Sequence, residues 1–402
     1  MSADVSAVAI ASEDRPHHWG GVFAMSLCVF ALIASEFMPM SLLTPIATDL
    51  HITEGQAGQA IAVSGIFAVL TSLFISTLVG DRDRKAVLLT LTAIMAIAGA
   101  VVALAPNYSI FMIGRALVGI LIGGFWSMSA ATAMRLVPKH QVPRALAIFN
   151  GGNALATVIA APLGSFLGAI IGWRGAFFCI VPLAIVVLFW QMISLPSMPT
   201  QRRSRSGNVF KLLSRPVVAL GMAAMAALFM GQFALFTYMR PFLETVTRVD
   251  VTTLSTILFA MGVAGFIGTS LIGLFLEKRL YSTLIVVPLT MAGIAVALIA
   301  FGNDLVATAM LFSAWGLVGT AVPVGWWTWL ARSLPQDAEA GGGLMVAIVQ
   351  FAITMGAVVG GLLFDMSGYQ STFGAGAALL AIAAVLALLT SRTAKGSEGY
   401  GA

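Results

Sequence analysis

The chain has 402 residues, of which 59% are hydrophobic and only 9% are Asp, Glu, Lys or Arg. A soluble domain carries about 25% charged residues, so these few charges cannot coat a soluble core, and the mean hydropathy of +0.98 agrees. A cytosolic enzyme, a disordered chain and a disulfide scaffold are excluded, and an integral membrane protein remains.

The first 18 residues, MSADVSAVAIASEDRPHH, hold no apolar core long enough for a cleavable signal. They read as a tail, with the first span acting as the targeting signal. A crossing helix needs about 20 apolar residues. Apolar runs bounded by charges or breakers predict spans at 19–47, 56–80, 86–105, 109–134, 145–171 and 174–194, which form a first six-helix bundle over 19–194. The stretch 195–216, LPSMPTQRRSRSGNVFKLLSRP, is rich in Pro, Ser and Arg and reads as a linker. Spans at 217–240, 252–276, 282–301, 305–331, 342–365 and 371–391 then form a second bundle over 217–391, with a tail at 392–402. Cys28 and Cys179 fall inside apolar runs and read as small hydrophobes.

The net charge of +5 is distributed like a topology signal, with no long basic stripe for nucleic acid. With the N-terminus inside, seventeen Lys and Arg fall in cytoplasmic segments, against Arg174, Arg248 and Arg240 opposite. Both termini are therefore expected in the cytoplasm. The halves also repeat. At an offset of 196, Glu36-Phe37 falls on Gln232-Phe233, Pro45 on Pro241 and Gly172 on Gly368, and Asp81-Arg82 falls on Glu277-Lys278. Two parallel six-helix repeats set a binding site between them, near the midplane.

A charged group at membrane depth costs about 2.5–3.5 kcal/mol and is a functional candidate by default. One acid, Glu36 in ALIASEFMPMSLLTP, and one base, Arg115 in MIGRALVGILIGGFW, lie deep inside spans. At ~1.5 Å per residue they sit ~16 and ~9 Å from the outer ends of their helices, close enough to pair directly or through water. Burial and a nearby guanidinium act on a carboxyl in opposite senses, which suits a group that takes up and releases protons. Glu36 and Arg115 are thus proton-coupling candidates; a permanent bridge and a plain substrate contact are the alternatives. Trp126, Asn153, Gln232, Tyr238, Trp326 and Gln350 are the substrate-binding candidates, because aromatic faces with amides suit a flat, polar, uncharged ligand. Ser127, Ser129, Asn150, Thr237, Trp315 and Trp327 join the same polar and aromatic set, while Trp329 reads as an interfacial anchor. The run Asp81, Arg82, Asp83, Arg84 and Lys85 reads either as a solvated anchor or as a gate biasing alternating access.

These residues resemble the major facilitator superfamily, in its branch of bacterial drug–proton antiporters. The loop signature G-x-L-x-D-R-x-G-R-K is matched by Thr77-Leu78-Val79-Gly80-Asp81-Arg82-Asp83-Arg84-Lys85, with Thr77 at the first Gly position and the second Gly missing. Arg115 with Gly119 matches the signature of proton-coupled members, and Ala161-Pro162-Leu163-Gly164-Ser165 matches part of the antiporter signature. SEFMPMSLLTPIATDL (35–50), GGFWSMSAATAMRLVP (123–138), AAPLGSFLGAIIGWR (160–174), GQFALFTYMRP (231–241), FIGTSL (266–271) and VPVGWWTWLARSL (322–334) look like the bacterial purine ribonucleoside efflux pumps. The resemblance implies a twelve-helix inner-membrane exporter that trades protons for inosine- or guanosine-type compounds by alternating access. Its partners would be substrate, protons and lipid, and it would work as a monomer without cofactor, metal or nucleic acid. A sugar or drug exporter (arabinose- or chloramphenicol-type) is the runner-up, and a membrane ligand sensor without flux is the alternative from another class. No catalytic constellation lies at depth, so no enzyme is expected.

Overall fold

Inside a bilayer no water bonds the backbone, so each apolar segment must pair its own amides, which a helix does. The computed structural model describes residues 18–80, 82–138, 141–199, 209–334 and 338–398, and among them there is no strand. Helices follow in the order α1 (Trp19–Ser41), α2 (Leu43–Leu50), α3 (Glu54–Val79), α4 (Arg84–Ala103), α5 (Tyr108–Arg135), α6 (Val142–Phe178) and α7 (Ile180–Ser194). After a 3₁₀ turn at Val209–Ser214 come α8 (Pro216–Phe236), α9 (Met239–Phe242), α10 (Val251–Phe301), α11 (Leu305–Gly319), α12 (Val322–Ser333) and α13 (Ala338–Glu398).

Ten stretches among the described residues are long and apolar enough to cross a membrane. Two of them, Gly151–Ser194 and Gly341–Ala394, run 44 and 54 residues. At ~1.5 Å per residue these measure ~66 and ~81 Å, at least twice the ~30 Å apolar thickness of a bilayer. Each is interrupted by a glycine in the left-handed region, Gly172 (φ 74°) and Gly368 (φ 77°), a conformation that costs other residues a steric penalty. Counting two crossings for each gives the twelve expected spans. The two glycines are also 196 positions apart, so the repeat read from the sequence recurs as a repeated backbone break.

Three expected spans are each divided. The 19–47 span ends as α1 at Ser41 and restarts as α2, and the 217–240 and 305–331 spans break at Thr237–Tyr238 and at Thr320–Ala321. The cause is the same each time. Pro45, Pro241 and Pro323 follow within a few residues and lack the N–H that a continuous helix requires. Elsewhere the helix starts are capped as their sequences dictate. Thr53 and Gln56 form a capping box on α3, and Asp83, Asp250 and Asp304 cap α4, α10 and α11.

Buried apolar side chains form two clusters. One, around Met25, Leu32, Phe111, Phe125 and Phe177, lies in the first six crossings and takes in Tyr238 from the other half; the other, around Met225, Phe242, Phe312, Trp315 and Phe373, lies in the last six and takes in Met40 and Ile61. One end of the molecule carries residues 195–199 and 209–215 and is called the linker face. The opposite, far face carries the turns near residues 51, 105, 172, 248, 303 and 368.

Candidate transport site between the two bundles

Phe37 of α1 stacks on Phe233 of α8 with centroids 6.2 Å apart and planes at 25°. These two residues are equivalents in the 196-residue repeat. Equivalent residues in two pseudo-twofold-related bundles can touch only beside the axis, so the pair marks the centre of the molecule. Phe236 closes the cluster edge-on against Phe37 at 6.3 Å. Glu36, the neighbour of Phe37, is 7% exposed. The Gln350 side chain of α13 lies close to its carboxyl. An acid from one bundle and an amide from the other therefore meet beside the axis.

Arg115 is fully buried, and its contacts come from the chemistry of α1. Pro39 lies inside that helix and offers no N–H, so the Ser35 carbonyl four residues earlier lacks its usual donor. Arg115 Nη1 donates to that carbonyl at 2.9 Å, Nη2 to the Glu36 carbonyl at 3.5 Å and Nε to the Ala60 carbonyl at 3.3 Å. Ser64 Oγ of α3 in turn donates to the Arg115 carbonyl at 2.9 Å. The guanidinium thus ties α1, α3 and α5 together through main-chain oxygens. It remains close enough to act electrostatically on Glu36, while the three hydrogen bonds from Nη1, Nη2 and Nε go to carbonyls rather than to the carboxylate.

The remaining candidates divide by location. Trp126 packs edge-on against Phe149 at 6.1 Å, and Asn153 stands one turn further along α6, so the two share a face of the first bundle. Gln232 donates through Nε2 to the Gly319 carbonyl at 3.4 Å, while its buried Oε1 has no partner among the described residues. Tyr238 is buried in the far-face contact, donating to the Ala357 carbonyl at 2.8 Å and stacking on Phe364 at 5.3 Å. Trp326 is buried inside the second bundle, 5.4 Å from Trp329, and its indole N–H is unpaired among the described residues. Trp329 is fully buried rather than interfacial, because its ring fills the space left by Gly221. Asp81 lies outside the described residues, and Ser129 and Asn150 are described only as backbone positions on α5 and α6.

On the far face, hydrogen bonds cross between the bundles. Asp365 accepts from Thr53 Oγ1 at 2.5 Å and from the Gly55 N–H at 3.0 Å. Arg240 Nη1 donates to the Ser41 carbonyl. These contacts shut that face. On the linker face, the 82–85 loop bonds its own bundle. The Asp83 carboxylate accepts from Ser197 Oγ at 2.5 Å, from the Met198 N–H at 2.9 Å and from the Lys85 N–H at 2.8 Å. Lys85 Nζ donates to the Met192 carbonyl at 2.9 Å, and the Arg84 N–H donates to the Met198 carbonyl at 3.2 Å. Arg82 is exposed. Partial burial opposes the Asp83 charge, but the hydrogen bonds outweigh it and hold this carboxyl below the ordinary range.

Sequence reasoning did not single out Ser35, Ala60, Ser64, Phe37, Phe233 or Phe236. Two signals were available: prolines four residues after Ser35 and Ser41, and the 196-residue register that pairs Phe37 with Phe233.

A twelve-crossing fold with a buried acid beside its pseudo-twofold axis has a clear counterpart among known proteins. The model of the Major Facilitator Superfamily matches residues 25–345. The chain belongs to the Major Facilitator Superfamily. It is a multi-pass membrane transporter and not an enzyme. A protein of Pseudomonas aeruginosa named "Transcription regulatory protein OpdE" is 61% identical over 386 residues, covering 95% of this chain and 96% of that one. A "Purine ribonucleoside efflux pump NepI" of Salmonella enteritidis is 42% identical over 377 residues, covering 94% and 93%. Among solved structures, an inward-facing, unoccupied bacterial homolog of the lysosomal transporter Spinster superposes with TM-score 0.76 at 16% identity, covering 94% and 98%. The D-xylose–proton symporter superposes with TM-score 0.75 at 15% identity, covering 92% and 97%. At these identities the likeness extends to the fold.

Proposed function

We propose that this transporter exports purine ribonucleosides in exchange for protons by alternating access across a bacterial inner membrane. The reading rests on one observation above others: Glu36, a buried carboxyl beside the pseudo-twofold axis, faces the amide of Gln350 from the opposite bundle. An ionisable group there can be reached in turn from either side as the bundles rock. The relatives named as purine ribonucleoside efflux pumps support the substrate class, and the unpaired Gln232 Oε1 is an acceptor for a base N–H or a ribose hydroxyl. Trp126, Asn153 and Gln350 supply further aromatic and amide contacts for the same ligand. The Lys and Arg distribution supports a cytoplasmic linker face and cytoplasmic termini. The chain acts as a monomer.

In the cycle, substrate enters from the cytoplasm and displaces the proton on Glu36; the bundles rock, substrate leaves, and a proton returns from outside. One charge crossing 100 mV supplies about 2.3 kcal/mol, enough for a roughly 50-fold gradient. The test is inosine uptake into inside-out vesicles with an imposed pH gradient. Gradient-driven uptake is expected from the native chain and is expected to vanish in Glu36→Gln; full uptake by Glu36→Gln would refute the coupling. The relative named as a regulatory protein favours a second reading, a membrane sensor that binds ligand without carrying it. That reading requires inosine binding with no gradient-dependent flux in the same vesicles.

A further inference from the structure

Helix α1 and its continuation α2 contain two prolines, and each leaves a carbonyl four residues earlier without its helical donor. Pro39 does this to Ser35, and Arg115 of the same bundle answers at 2.9 Å. Pro45 does it to Ser41, and here the donor is Arg240 Nη1, from the opposite bundle. Arg240 is 4% exposed and stands on α9, in the break between α8 and α10. Its Nε donates to Glu244 at 2.8 Å, which fixes the direction of the guanidinium fork. The repeat equivalent of Arg240 is Thr44, so the strap has no symmetric copy.

We propose that Arg240 is the gating residue of the far face: it holds that face shut by giving the Ser41 carbonyl the donor that Pro45 withholds. The two arginines differ in the contact they must surrender. Arg115 and Ser35 move together in one bundle, so their bond persists through the cycle. Arg240 and Ser41 belong to different bundles, so rocking must part them. Once apart, both are charged or polar groups that require water, and water reaches them only when the far face is open. The contact therefore breaks with opening and re-forms with closing. Ser41 lies five residues, ~7.5 Å along a helix, from Glu36, so the strap grips the same bend of α1 that carries the acid.

The inference rests on the alternating-access reading, and its test reads distance rather than flux. Spin labels at Ser109→Cys and Asn303→Cys, both exposed on the far face and one in each bundle, are introduced in a Cys179→Ser background. Their separation is measured by pulsed electron paramagnetic resonance in lipid nanodiscs at several pH values, with and without inosine. The parent protein is expected to show a short and a long separation. Arg240→Ala and Pro45→Ala should each raise the long-distance fraction, about two- to tenfold relative to the short one, the range one net hydrogen bond commands. Pro45→Ala restores an N–H to the helix and so tests the strap even where Arg240→Ala does not fold. Because both changes remove one and the same contact, the double variant should match either single variant. Additive gains in the double variant, or distributions identical to the parent, would overturn the strap while leaving alternating access standing. A single separation in the parent under every condition would overturn both.

Discussion

Arg115 Nη1 donates to the main-chain carbonyl of Ser35 at 2.9 Å, and Ser35 stands four residues before Pro39. The arginine therefore repairs a defect that the proline creates, and it does so from a different helix. A helix bent at a proline next to Glu36 stays in one shape only while its freed carbonyl has a donor. Arg115, the lone buried base among the described residues of the first bundle, is in this sense a brace for the bend, and its charge acts on Glu36 as a consequence of where the brace must stand.

That arrangement separates geometry from charge. Arg115→Lys keeps the charge but loses the planar fork that reaches Ser35, Glu36 and Ala60 at once. Each buried carbonyl left unpaired costs about 1–3 kcal/mol. Arg115→Lys and Arg115→Ala should therefore both lower the melting temperature in detergent and suppress transport by similar amounts. A lysine variant with parental melting behaviour would show that charge alone is needed.

Much of this is legible in the amino-acid sequence. The scarcity of charge placed the chain in a bilayer, the apolar runs gave twelve crossings, and sorting the charges left Glu36 and Arg115 at depth. The 196-residue register held Phe37 and Phe233 in equivalent places, although only the folded chain shows them stacked. What could not be read is direction. Sequence spacing brings Arg115 to the depth of Glu36 without saying that its fork is used up on main-chain oxygens. Trp126, Tyr238, Trp326 and Trp329 are alike as aromatic residues in apolar runs. Packing alone separates a half-buried face, a far-face contact and a core filler. Trp329 turned inward because Gly221, one helix away, leaves room for its ring.

Close helix approach in the first bundle depends on Gly119, where an added Cβ would come within 2.8 Å of the Phe67 side chain and 2.9 Å of the Ser64 main-chain carbon. The Ser64 backbone cannot yield without displacing the bond from its hydroxyl to Arg115. Gly119→Ala should destabilise by about 1–3 kcal/mol, the cost of overpacking. Gly273→Ala is the control: nothing lies within 4 Å of its Cβ, and alanine gains ~1 kcal/mol of helix propensity there. Thermal melts of the two variants should move in opposite directions, and equal shifts would remove the packing argument.

Asp365 reaches across the bundles to the first turn of α3, where unpaired N–H groups and the helix dipole favour a negative charge. Asp365→Asn keeps the shape and removes the charge, a loss of about 0.3–1 kcal/mol. Hydrogen exchange at the Gly55 amide, which bonds the carboxylate directly, should then quicken by roughly two- to fivefold. Exchange at the parental rate would mean that the carboxylate is not what protects it.

Asp49, in the last turn of α2, accepts from Arg174 Nη1, and from Trp173 Nε1 at 3.2 Å. The hydrogen bond from Arg174 holds the Asp49 carboxyl below its ordinary range, assisted by Trp173 and by the nearby charges of Arg174 and His51. A carboxyl whose folded-state pKa is depressed binds fewer protons folded than unfolded. Its contribution is therefore complete above the unfolded value of about 4 and is lost as pH falls through the folded value. Melting temperatures of the parent and Asp49→Asn should differ most near pH 6 and converge as pH approaches about 3. Both side chains are partly exposed, so added salt should narrow the same gap at neutral pH. A difference that holds constant from about pH 6 down to about pH 3 would mean that Asp49 contributes its shape and not its charge.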